Sequence, residues 1–155
     1  MFEKTLKEYN TILCDGITEL LGCEVVKSNV TGHIPDYPYV SFTMTSLNVE
    51  GRTYGNDGEQ RFMPATVTYS WTIQHSDDYA AWALAQKLHD WFDVTGKLFF
   101  DDNGMVAANV GPIQERDNML TIEYEFRKGF DVVMNFMNIV PLETEEIETF
   151  NPEYV

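Results

Sequence analysis

Three histidines, two cysteines and several close-set carboxylates are the side chains with which this chain could do chemistry. His33, His75 and His89 are metal ligands by type, but none has another His or Cys at the short paired spacing that zinc sites use. Asp101, Asp102, Asn103 and Gly104 have the composition of a calcium loop without its alternating acidic ligands or its later Glu, and read as a turn. Cys14 and Cys23 fall in or just after a helical stretch and read as buried free thiols rather than a bridge or a nucleophile. Asp77 and Asp78 are adjacent and so do not share a face; the positive end of a helix explains them better than paired acid–base work. Trp71, Trp82 and Trp91, with Tyr69 and Tyr79, could stack on bases, but stacking needs a positive groove beside it. Phosphate-loop, nucleophile-elbow and His-Glu-x-x-His patterns are missing. The residues specify no reaction, no metal and no cofactor, and the expectation is a protein that is not an enzyme.

Charge is the strongest compositional signal. The formal net charge is −15, and residues 129–155 carry Asp131, Glu143, Glu145, Glu146, Glu148 and Glu153 with no Lys or Arg. Such a surface repels phosphate, which argues against nucleic-acid binding. The acidity serves solubility, or it lines something past which DNA must slide without sticking. No apolar run approaches the roughly 18 residues needed to cross a bilayer, so no membrane partner is expected. The opening residues Met1 to Glu8 are partly acidic and lack an apolar core, so a secretory signal is not expected either. The protein should be made and kept in a cytoplasm, or in something assembled there.

The elements that must position these side chains are legible from periodicity. Ala65, Val67, Tyr69, Trp71, Ile73 and His75 alternate with Thr66, Thr68, Ser70, Thr72 and Gln74, the period of a half-buried strand. From Ser76, read as an N-cap, the period changes: Ala81, Leu84, Ala85, Leu88, Trp91 and Phe92 form one helical stripe. Phe2, Leu6, Tyr9, Leu13, Ile17 and Leu20 predict an N-terminal helix over about 3–21, with Gly22 as its stop. Residues 24–30 and 39–49 read as strands around a turn-rich, proline-containing connection, and 105–114 as a strand interrupted by Gly111 and Pro112. The longest β signal runs from Asn118 to Phe136, with Leu120, Ile122, Tyr124, Phe126, Phe130, Val132, Met134 and Phe136 on one face and Lys128 breaking the pattern. Gly129 is where a bend or bulge is expected. Together these predict one α+β domain over 1–140, a mixed or antiparallel sheet packed by a central and an N-terminal helix, followed by an acidic tail over 141–155. Trp71, Leu84, Leu88, Trp91, Tyr124 and Phe126 are expected in one core.

Residues 50–63 have glycines, no apolar period and a length unusual for an idle connection; they form either a projecting loop or a long hairpin with its tip at Asn56 to Gly58. Arg52, Tyr54, Arg61 and Phe62 within them are the types enriched at interface hot spots, and are the candidate contacts to a partner. Glu123 and Glu125, on the face of the long strand turned away from the core, are the candidate acidic lining of a channel.

In their order, these elements resemble the neck or tail terminator proteins of long-tailed bacteriophages. The likeness is carried by the N-terminal helix, by Pro38, Tyr39 and Val40 opening a strand, and by the strand Val67 to Ile73 running into the helix Tyr79 to Phe92. Val110 to Ile113 and the closing strand with Arg127, Gly129, Phe130, Asp131 and Val132 complete it. The resemblance spans about residues 1–136 and departs from the pattern at Ser76 to Asp78, where related sequences often have a small residue. It implies a structural virion protein, assembled in the host cytoplasm into a ring, usually sixfold, that caps the tail tube and joins it to the head connector. Its partners would then be copies of itself, the tail tube protein and the connector. Another head–tail joining or tail tube component, and an acidic DNA mimic, are the alternative readings.

Overall fold

The alternating run at the centre of the chain becomes the centre of a sheet. In the computed structural model, which describes residues 4–28, 32–49, 55–56, 58, 60–119 and 124–141, the chain order is α1 (Leu6–Leu21), β1 (Glu24–Lys27), β2 (Tyr39–Val49), β3 (Gly55–Asn56), β4 (Gln60–His75), α2 (Asp78–Asp90), a π-helical turn (Trp91–Thr95), α3 (Lys97–Asp102), β5 (Val106–Val110), β6 (Gln114–Glu115), β7 (Asn118–Met119) and β8 (Tyr124–Pro141). The sheet order is β1-β2-β4-β8-β5, with β3 on β4 and β6 and β7 on β8. β1 runs parallel to β2 and the other pairs are antiparallel, so the sheet is mixed and the fold is α+β.

Local chemistry sets the helix ends. Thr5 caps α1 by accepting from the Glu8 amide at 3.2 Å, and Gly22, at φ 70°, ends it by donating to the Thr18 carbonyl at 2.8 Å. The cap of α2 is Asp77 rather than the expected Ser76: its carboxylate accepts from the Ala80 amide at 2.8 Å, while its own amide donates to His75 Nδ1 at 3.0 Å. α2 then widens into the π turn, closed by the Gly96 amide on the Trp91 carbonyl at 2.8 Å. A Cβ on Gly96 would sit 2.6 Å from that carbonyl oxygen, so the closure requires glycine. α3 is a correction, since Asp101 and Asp102, read as part of a turn, close a short helix that starts at Lys97 and carries Phe99 and Phe100.

The core lies between the helices and one face of β2, β4 and β8. Val67, Tyr69, Trp71 and Ile73 are fully buried, as are Ala81, Ala85, Leu88 and Phe92 from the α2 stripe. Phe92 stacks on Phe100 at 5.5 Å and meets Trp71 at 5.6 Å and Phe130 at 6.1 Å. α1 is tied to the same face by Tyr9 stacked on Phe136 at 4.1 Å and by Tyr69 donating to Asn10 at 2.7 Å. Tyr124 and Phe126 depart from the expected core: neither is among the buried residues, and Tyr124, 43% exposed, lies beyond the end of β4, whose last residue His75 pairs with Phe126.

Two further departures concern register. The β4–β8 ladder runs without a shift through Gly129, which pairs with Thr72, so no bulge occurs there. A side chain at 129 would instead meet the Trp71 carbonyl oxygen at 2.4 Å, and close approach is what selects glycine. The irregularities lie between Met44 and Ser46 in β2 and between Ala107 and Asn109 opposite β8. Both long strands also outrun their sequence boundaries, pairing as far as Gln60 with Pro141, so that within 50–63 residues 55–56 and 60–63 are strand, with β3 folding back on β4 as a hairpin.

Candidate assembly surfaces

Of the residues expected to contact partners, two fall in that hairpin. Arg61 and Phe62 stand in β4, paired on one side with Asn56 and Gly55 and on the other with Val140 and Ile139. Arg52 and Tyr54 lie outside the described residues, and so does Glu123.

Glu125 is placed otherwise than expected. It is only 7% exposed and accepts a hydrogen bond from the Tyr37 hydroxyl at 3.0 Å. The connection from Gly32 to Pro38 folds across this end of the outer sheet face with Pro35 buried beneath it, so the face is covered where an open wall was expected. Between the connection and the sheet is a cavity of about 390 Å³, floored by Ser41, Gln74, Glu125 and Arg127 and rimmed by Lys27 and His33. Ser41 and Gln74 are buried. With its amide turned to satisfy both ends, Gln74 donates to the carbonyls of Thr72 (2.9 Å) and Tyr39 (3.2 Å) and accepts from the Ser41 hydroxyl at 2.6 Å. Burial, then the charge of Glu125, push the Tyr39 phenol upward in pKa. Arg127 has no carboxylate within 4 Å among the described residues, and its buried Nε has no hydrogen-bond partner there.

Two charged clusters escaped the sequence reading. Lys128, which breaks the apolar face of β8, is 1% exposed; its ammonium bonds Asp117, reaches Asp78 at 3.0 Å and lies 5.0 Å from the Trp82 ring. It therefore clamps the start of α2 and the segment before β7 onto β8. On the other face Arg116 donates to Ser70 and Thr72 at 2.9 Å and pairs with Asp131 at 3.3 Å, crossing the strands at Gly129. The polar alternation of β4 was the available signal for the second cluster, and Lys128 itself for the first. Elsewhere, Cys14 is pushed up to about 11 by burial and then by Asp15, which makes it a poor nucleophile.

Exposed apolar side chains gather at opposite edges of the sheet. Leu47 (50%) and Val49 (42%) lie on β2 beyond the stretch that β1 pairs, and Leu98 (73%) and Val106 (57%) rim a hollow beside β5. Among the described residues no helix is long and apolar enough to cross a membrane. Unlike exposed apolar patches thus stand at the two edges of the sheet.

A search of curated proteins gives no match. A family model described as phage neck terminator protein matches residues 2–155, the acidic terminal segment included. The chain therefore belongs to the phage neck terminator protein family, a structural component of the virion at the head–tail joint.

Proposed function

We propose that this protein closes into a ring, six copies by the family resemblance, that terminates the tail tube and joins it to the head connector. The observation that carries the reading is the pair of unlike apolar patches at opposite sheet edges. A closed ring is built from heterologous contacts, in which one patch of each subunit meets a different patch of the next. Leu47 and Val49 on one edge, and Leu98 and Val106 on the other, supply such a pair. The segment around 50–63, with Arg52, Tyr54, Arg61 and Phe62, is assigned to contact with a neighbour or the tube. Glu123 and the remaining acidic surface are assigned to keep the passing genome off the protein.

The test uses one edge at a time. Leu47→Asp with Val49→Asp should abolish rings, as should Leu98→Asp with Val106→Asp. Mixing the two variants should restore dimers and nothing larger, because only one intact interface remains per pair. Native mass measurement and negative-stain micrographs read the result. A monomeric wild type, or rings surviving either double change, would overturn the reading.

A further inference from the structure

We infer that the cavity under the 32–38 connection receives the acidic segment Glu143 to Glu148 of a neighbouring copy. The inference rests on the ring reading above and deepens it, naming what latches one subunit to the next.

On a chain of net charge −15, the cavity sets two permanent cations, Lys27 and Arg127, against one carboxylate. That carboxylate, Glu125, is already engaged by Tyr37. The half-buried Arg127 guanidinium has no carboxylate within 4 Å and its Nε no hydrogen-bond partner among the described residues, so the fold leaves a partly desolvated cation without an anion at the cavity floor. Glu143, Glu145, Glu146 and Glu148 supply carboxylate acceptors, and Arg pairs with carboxylates in a planar, two-bonded geometry. Leu142 and Ile147 interrupt the charges, as Val26, Pro35 and the 73%-exposed Ile34 interrupt the polar lining. The volume suits a few residues of chain rather than a whole element.

Distance decides between the chain's own segment and a neighbour's. Arg127 and Pro141 are fourteen positions apart on one strand, which at a rise of about 3.3 Å per residue is about 46 Å. Glu148 follows Pro141 by seven positions, a reach of at most about 25 Å when fully extended. The acidic segment therefore cannot enter the cavity of its own chain, whereas the cavity of another copy is open to it. The family match extends through this segment, which sets it within the family's domain.

The experiment places the photo-cross-linking residue p-benzoylphenylalanine at Ile147 in ¹⁵N-labelled full chain, mixed with unlabelled wild type and irradiated. Cross-linked peptides should join heavy to light chains and land within residues 26–35. Their yield should fall at least five-fold when the unlabelled partner carries Arg127→Gln, and be largely kept with Arg127→Lys. Lys27→Glu at the exposed rim, which removes no buried group, should lower it as well. Cross-links to other surfaces, within one copy only, or insensitive to both charge changes would overturn the inference. Micrographs of the same samples separate the two readings: rings with misplaced cross-links overturn this inference alone, and absence of rings overturns both.

Discussion

Lys128 is the side chain on which most of the local charge balance turns. Burial disfavours its ammonium, yet hydrogen bonds and charge from Asp117 and Asp78 outweigh that and raise its pKa above 10.5. Burial likewise pushes Asp117 upward, but the hydrogen bonds from Lys128 and the Arg127 amide, with the charge of Lys128, leave it below its ordinary 3.8. The lowered carboxyl contributes stability that is complete above 3.8 and lost as pH falls through the folded value. The raised ammonium contributes stability that is complete below 10.5 and lost as pH rises through its folded value. Lys128→Met should cost about 3–5 kcal/mol, because it leaves the largely buried Asp117 carboxylate without its charged partner, and should flatten the loss of stability expected of wild type between pH 4 and pH 2. Urea titrations at both pH values check this. Asp78→Asn, at a carboxylate 40% exposed, should cost under about 1 kcal/mol in the same assay. Gly129→Ala should cost about 1–3 kcal/mol or more, since its Cβ meets the backbone carbonyl of Trp71, which cannot swing aside as a flexible side chain could.

Among the elements, α2 and its π turn join the sheet to everything behind it. Leu88 is fully buried between them, a burial that contributes about 1.5–3 kcal/mol. Leu88→Ala should cost about 2–5 kcal/mol with the cavity left behind, measured by the urea midpoint at unchanged slope. The strand and helix here were legible because each repeats its period over at least three turns or alternations. α3 was not, since six residues make too short a run to separate a helix from a buried extended pair such as Phe99 and Phe100. The hairpin of β3 on β4 belongs to the same scale: deleting residues 53–60 should leave the α2–sheet core folded by circular dichroism while weakening ring formation or docking. Unchanged particle size and tail completion would refute that assignment.

At the scale of the whole molecule, the charge of −15 predicts no DNA binding even at low salt, measured by mobility shift or anisotropy. Glu125→Lys does not probe an acidic wall. Its side chain is buried against Tyr37, and the change should lower thermal stability before it alters any channel. Glu123→Lys is the change that probes the wall, and in an assembled particle it should slow genome ejection while tails still complete.

The sequence by itself determined the α+β class, the central strand and helix, the stop of α1 at Gly22, the cap of α2 to within a residue and the family, since periodicity and element order are local properties read along the chain. Tertiary structure alone decided what each polar residue faces. Glu125 alternates like a surface residue and is buried because a connection some ninety positions earlier lies over it, while Lys128 looks like a flaw in an apolar face and is an ion-paired clamp. Both outcomes depend on which distant segments cover which end of β8, and alternation carries no record of that.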